Sequence, residues 1–380
     1  MGRQGISILI GIIVITLGIV AFSSMQQDSE VDEIKIVANL PITGPGSGIG
    51  IEQRDGLQLA VKEINDNGGI KGKQIDLIIE DNQTDLQKAK EIFNFQEKSY
   101  EPLLHISSLS FISTGLSEIA EKEKVVLVSL SAVAPDVTAG KEWTFRYFPM
   151  AEDEAKPILK ILDDLEIKSL GILYLDDEFG RSIAKEVGEN FSLKGNVVDE
   201  SFENNQKEFL ENIEKLKDQE AIYIVGFPDH IKIILKEIDQ SNYEGEVLMS
   251  SDGATFDIFQ MAEAQNVHIA APLVYNTKLK LATEVGIKFE NEFERQLDHN
   301  GANSYDVIRI IKGLLDDKEI TRENLKESFD SGFIYTGIFG TIYGYPQNQD
   351  IKFGLYPSKI VDGELKFEST QGAMSSEVEQ

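Results

Sequence analysis

The feature that most constrains this chain is an alternation, sustained over most of its length, of short apolar runs with longer amphipathic ones. Residues 34–40 read as a strand, and Leu57, Ala60, Val61 and Ile64 then fall at i, i+3, i+4 and i+7, which lines one helix face. Asn67, Gly68 and Gly69 close that helix with residues that tolerate positive φ. A strand at 74–79, a helix at 85–97, and strands at 103–106 and 125–129 around a helix near 113–122 continue the series. Beyond Pro149 it starts afresh, with helices at 152–165, 178–193, 206–216 and 229–240 and strands at 169–174, 196–202, 221–225 and 246–250. Continuous apolar strands separated by helices imply parallel sheets covered on both faces. Two such series predict an α/β chain of two doubly wound lobes, which 380 residues can accommodate.

Ligands of open parallel sheets sit beyond the carboxyl ends of the strands. That rule nominates the loops at 41–51, 107–114, 130–135, 176–180, 226–229 and 251–254. No internal repeat or low-complexity tract interrupts the pattern.

Ahead of the lobes, Ile6 to Phe22 runs without a charge, after Arg3 and before Asp28, Glu30, Asp32 and Glu33. This run just reaches the lower limit of about 17 residues for crossing a bilayer. The basic residue before it favours a cytoplasmic N-terminus with the rest of the chain outside. A retained anchor is the favoured reading, because the run is longer than a usual signal core. A cleaved signal segment is the alternative, with Ala21-Phe22-Ser23 as a small-x-small site. Either way the body lies outside the cytoplasm, at a cell surface or in a periplasm.

Sixty-five acidic residues against 36 basic ones give a formal charge of −29. Nucleic acid is thereby excluded as a partner, since neutralising phosphates takes clustered Lys and Arg. The chain has no cysteine, and so no disulfide, thiolate metal site or cysteine nucleophile. Its four histidines, His105, His230, His268 and His299, form no metal-ligand spacing, and no nucleophile elbow occurs. The glycines from Gly44 to Gly50 complete neither a dinucleotide fingerprint nor a phosphate loop, and read as a flexible strand-to-helix turn. Asp76, Glu80 and Asp81 read as solvated or capping acids at a strand end. No enzyme, cofactor or metal is expected.

The order of several motifs resembles the branched-chain amino-acid binding proteins, a family of type 1 periplasmic solute-binding proteins. They are Leu40-Pro-Ile-Thr-Gly-Pro45, Gly56-Leu-Gln-Leu-Ala-Val-Lys-Glu-Ile-Asn65, Asn67-Gly-Gly-Ile-Lys-Gly72 and Glu80-Asp-Asn-Gln-Thr-Asp85, followed by Ile119-Ala-Glu-Lys-Glu-Lys-Val-Val126, Tyr174-Leu-Asp-Asp-Glu-Phe-Gly180 and Ser251-Asp-Gly253. The resemblance runs from Glu33 to Phe367. It implies two lobes joined by three crossings, placed near 146–149, 273–277 and 337–341. An anchor and linker at 1–33 then precede lobe 1 (34–149 plus 277–337) and lobe 2 (150–276 plus 338–370), and 371–380 form a tail.

The resemblance also implies a site. Ser110 and the Ser131, Ala132 and Val133 loop match the positions that hold a ligand carboxylate, and Asp252 matches the acidic partner of a ligand ammonium. Phe179 and Phe227, often Tyr in relatives, and Ile49, where an aromatic often sits, would clamp an apolar part. Val133 stands where relatives usually carry Thr, so one ligand hydrogen bond, worth about 0.5–1.5 kcal/mol, is missing. The expected ligand is an amino acid or a related amide or carboxylate. The expected partner is an ABC transporter permease, with a separate signalling partner as the alternative.

Overall fold

The computed structural model describes residues 33–276 and 278–368. The first lobe opens with β1 (Ile34–Leu40), α1 (Ser47–Asp66), β2 (Ile75–Asp81), α2 (Leu86–Tyr100), β3 (Leu104–Ser108), α3 (Ser110–Glu123), β4 (Val126–Leu130) and β5 (Thr144–Tyr147). The second contains α4 (Ala151–Asp164), β6 (Ser169–Leu175), α5 (Glu178–Phe191), β7 (Asn196–Phe202), α6 (Leu210–Leu216) and β8 (Ala221–Val225). It continues through α7 (Pro228–Gln240), β9 (Glu246–Met249), α8 (Phe256–Phe259) and β10 (His268–Pro272). The chain returns to the first lobe with α9 (Lys280–Phe293), α10 (His299–Leu315), α11 (Arg322–Asp330), β11 (Phe333–Gly337), β12 (Gly340–Gly344) and β13 (Asp350–Ile351). It ends in the second with β14 (Leu355–Val361) and β15 (Glu364–Phe367).

The first sheet has the order β13-β5-β4-β3-β1-β2 and is parallel throughout. The second runs β15-β14-β10-β9-β8-β6-β7, parallel from β7 to β10 with antiparallel β14 and β15 at one edge. In each, the direction of winding reverses once, between β1 and β3 and between β6 and β8. Those reversals open crevices at the strand ends, and the two crevices face each other. The central strands are apolar and buried on both faces, as the near-continuous runs of Val, Ile and Leu require.

Aspartates start several helices. Asp85 accepts from Lys88 N–H at the start of α2, Asp177 from Gly180 N–H at α5, and Asp298 from Asn300 and Gly301 N–H at α10. Asp81, at the end of β2, accepts from Ile42 and Thr43 N–H, the Thr43 hydroxyl and Gln83 N–H, so it is a turn cap. The helix expected over 206–216 starts only at Leu210, because Gln206 turns its amide onto the Glu208 carbonyl and Asn212.

The chain passes between the sheets after β5, after β10 and between β13 and β14. The third expected crossing, near 337–341, is corrected: Gly337–Gly340 is the turn of the β11–β12 hairpin. Asp350 and Ile351 then pair with Arg146 and Tyr147 of the first sheet, so the crossing falls at 352–354. The strand before the true crossing is only Asp350–Ile351, too short to be read from the sequence. Among the described residues no helix is long and apolar enough to span a membrane. The anchor expected at Ile6–Phe22 lies outside the described residues.

Helix α1 packs along α10 at a glycine contact: a Cβ on Gly56 would lie 2.1 Å from the Gly301 carbonyl oxygen. Gly313, farther along α10, has open space around its Cβ position. Gly56→Ala is expected to destabilise the protein by about 1–3 kcal/mol through overpacking. Gly313→Ala should gain about 0.5–1 kcal/mol from helix propensity. Paired urea melts with equal m-values check both signs.

Candidate functional site

At the first crevice the chain turns sharply after β1 and after β3. Gly46 precedes α1 with φ of 80°, and a Cβ on Gly50 would lie 2.1 Å from the Pro41 carbonyl oxygen. The glycine loop is therefore a close-packed turn rather than a flexible one. Leu109, a branched residue at φ 65° and ψ 142°, precedes α3, and Ser131 after β4 has φ of 41°. Two strained non-glycine residues at adjacent strand ends mark a place where the fold holds backbone in a costly shape.

Those turns bring Ser110 and the 131–134 loop together. The Ser110 hydroxyl oxygen accepts from Val133 N–H at 3.1 Å and from Ala134 N–H at 3.4 Å. The Ser131 hydroxyl accepts from Gln53 Nε2 at 2.8 Å and donates to Asn300 Oδ1. It is thus occupied within the protein. The Ala132 and Ala134 carbonyls are fixed from behind by Arg146 Nη1, at 3.0 and 2.8 Å. The same guanidinium reaches Asp350 and Thr138, each at 2.8 Å.

The second crevice supplies Phe179 from α5, Phe227 before α7 and Asp252 from the one-turn segment Ser251–Gly253. Both phenylalanines belong to this lobe, with ring centroids 5.8 Å apart and planes 13° from parallel. They make one apolar wall, where clamping from two sides was expected. Ile49, at the start of α1, belongs to the opposite lobe. Phe227 approaches Gly46 of that lobe, where a Cβ would lie 3.6 Å from its ring. The Thr114 hydroxyl donates to Glu178 across the gap at 2.8 Å. The lobes are therefore in contact over the site, and Ser110, Val133, Phe179 and Asp252 are all buried. A groove of about 730 Å³ remains at the mouth, lined by Ile49, Glu52 and Asn300 on one side and Phe227, Lys232 and Phe256 on the other.

Asp252 is 4% exposed. Burial first, then the charges of Glu154, Asp177 and Asp298, holds its carboxyl well above the usual range. Glu154, in the first turn of α4, accepts from Ser251 N–H at 2.8 Å and the Tyr223 hydroxyl at 3.2 Å, while its second oxygen is buried without a partner. Burial pushes it up to about 7. The same cause raises Asp177 and Asp298 to about 6. His299 is pushed down to about 4 by burial and stays neutral. Such an array is suited to a cationic group.

Reading the sequence nominated Asp252 but missed Glu154, Asp298 and Arg146. Glu154 and Asp298 are ordinary residues for a helix start; packing within the second lobe sets Glu154 beside Ser251 and Tyr223, and the meeting of the lobes brings Asp298 to the group. Asp177 lay inside a nominated loop without being singled out.

A family model described as periplasmic binding protein matches residues 33–364. The leucine-, isoleucine-, valine-, threonine- and alanine-binding protein of Pseudomonas aeruginosa is 27% identical over 240 residues, 61% of this chain and 63% of that protein. The chemotactic signal transduction system substrate-binding protein BasB of Halobacterium salinarum is 25% identical, over 56% of this chain and 54% of its own. These matches span less than two thirds of either relative's length. The crystal structure of a leucine-binding protein from Thermotoga maritima has a TM-score of 0.81 at 18% identity, covering 88% of this chain and 98% of that one, a likeness of fold. By its matching family model, its relatives and its two facing, doubly wound lobes, this chain belongs to the type 1 periplasmic binding proteins, in the branched-chain amino-acid binding family.

Proposed function

We propose that the chain is an extracytoplasmic solute-binding protein that encloses a small ammonium-bearing ligand between its lobes and delivers it to an ABC importer. The family is one of solute-binding proteins rather than enzymes. The observation that carries the reading is Asp252, a buried carboxylate with no hydrogen-bonded Lys or Arg among the described residues. A ligand ammonium there would form a charge-assisted pair in a water-poor cleft. Ser110 and the 131–133 loop would face the ligand from lobe 1, and Phe179, Phe227 and Ile49 would cover its apolar part. The Pseudomonas relative, named for five small or apolar amino acids, supports a ligand of that size. A sensing role through a separate partner is the second reading, favoured by the chemotactic Halobacterium relative.

A thermal-shift screen of amino acids, amides, amines and small carboxylates tests the proposal. A true ligand at a hundredfold excess over Kd should stabilise the fold by about 2.7 kcal/mol. No stabilisation by any member would sink the reading.

Asp252→Asn separates a binding role from a structural one. Removing an unpaired buried charge should stabilise the empty protein, by about 1–3 kcal/mol at pH 8. Losing the ion pair should weaken an ammonium ligand on the order of 100- to 1000-fold. A variant that is less stable when empty would place Asp252 in the scaffold instead.

The pH dependence of that gain follows from linkage. An acid raised in the folded state favours folding below its unfolded pKa, and this contribution is lost as pH rises through the folded value. Asp252 faces Glu154 from α4, Asp177 before α5, Asp298 before α10 and Tyr223 from β8. The stability gain of Asp252→Asn over the parent should therefore grow from about pH 5 to pH 8. The difference between the two proteins is the quantity to measure, since His105, His230, His268 and His299 are all held below their usual value and drive the parent's own profile the other way.

A further inference from the structure

The charges around the cleft do not balance. Asp252, Glu154 and Asp177 come from the second lobe, and Asp298 is brought up to them from the first. Glu154 is held by Ser251 N–H and the Tyr223 hydroxyl, Asp177 by Gly180 N–H, and Asp298 by Asn300 and Gly301 N–H. None of these donors carries a charge. Two guanidiniums act on this group only through space, Arg181 on Asp177 and Arg295 on Asp298, while their ion pairs are made with Asp176 and with Glu52 and Asp55. One oxygen of Glu154, a residue 1% exposed, is buried within this group without any partner. Among the described residues no group of three or more acids and histidines is arranged to hold a metal ion.

The opposite side of the ledger is thin. A ligand carboxylate would need donors from lobe 1, where the Ser131 hydroxyl is bonded to Asn300, Val133 has no hydroxyl, and the Val133 and Ala134 N–H groups are turned onto Ser110. What remains for an anion is the start of α3. A zwitterion would bring one more carboxylate into a cleft that already holds four carboxyl groups. An amine without a carboxylate brings only the charge that is missing.

We infer that the solute is an organic cation lacking a carboxylate, an alkyl amine or a carboxyl-blocked amine. Its positive end lies among Asp252, Glu154, Asp177 and Asp298, and its apolar body rests on Phe179, Phe227 and Ile49. This rests on the reading of the cleft as a solute site, and it narrows the ligand class within that reading. The single phenylalanine wall suits such a body, since it offers area without hydroxyls to satisfy.

Calorimetric titration of the full chain with isopentylamine, leucinamide and leucine isolates the carboxylate, because the three share one branched body. Isopentylamine and leucinamide are expected to bind at least tenfold more tightly than leucine. Glu154→Gln and Asp298→Asn should each weaken the two cations about tenfold, while Asp218→Asn, at an exposed carboxylate outside the cleft, leaves them unchanged. Equal losses in all three variants would reduce the effect to the general negative charge of the protein and overturn the inference. Leucine binding more tightly than both cations also overturns it, while leaving the solute-binding reading in place. Failure of all three to bind overturns it as well, and the broader ligand screen then decides the solute-binding reading separately.

Discussion

One buried guanidinium organises the lobe that carries the ligand loop. Arg146, the penultimate residue of β5, is fully buried, where a charge is costly unless its donors are all used. It bonds the Ala132 and Ala134 carbonyls, the Thr138 hydroxyl and Asp350, and Thr138 in turn donates to Asp350. Holding the two carbonyls from behind turns the intervening N–H groups onto the Ser110 hydroxyl. Holding Asp350 adds β13 to the sheet edge, and so fixes where the third crossing leaves. The strained Ser131 backbone persists because its neighbours are pinned on both sides.

The front of the cleft is built on the opposite principle. Behind the loop a cation is hydrogen-bonded to its partners; in the cleft, four carboxyl groups have no hydrogen-bonded Lys or Arg among the described residues. Each is raised by burial, so the fold keeps protons there or bears repulsion. On the proposed binding role, that arrangement would weaken the empty closed form, since Asp298 belongs to one lobe and Asp252 to the other. A ligand cation would remove the repulsion only in the closed state, and differential affinity of this kind is what shifts a population between open and closed forms. Function is thus gained where stability is given up.

The two doubly wound lobes were legible because strand and helix periods differ and each strand is apolar throughout. The strand 196–202 is recovered to the residue, and the edge position of β7 explains why its alternate residues are exposed. The loops at the winding reversals were legible for the same reason, whereas Ile49, Ser110, Phe179, Phe227 and Asp252 were nominated within them by the family resemblance. What could not be read was pairing across long separations. The position of the third crossing depends on Asp350 meeting Arg146, 204 residues away. The Ser131 loop was nominated for its backbone groups, and the bonding of its hydroxyl to Gln53 and Asn300, from α1 and α10, could not be read. Glu154 has the sequence signature of a helix start and nothing more. Its burial beside Asp252 depends on Ser251, 97 positions on.

The ligand loop and the crossings are physically one unit. The Val133 carbonyl accepts from Ala151 N–H, the first residue of α4, at 3.2 Å. The first crossing therefore starts from the loop that faces the ligand. Lys352, within the third crossing, pairs with Asp153 at 2.8 Å and Glu152 at 3.3 Å in the same first turn of α4. Glu154, one residue on, enters the carboxyl group around Asp252. A hinge bends where few residues absorb the change in φ and ψ. Here those residues lie between Arg146 on one side and the first turn of α4 on the other. Rotation of the second lobe about this hinge necessarily moves Glu154 against the fixed 131–134 loop, so the electrostatic imbalance in the cleft acts on the same few bonds that set the opening angle.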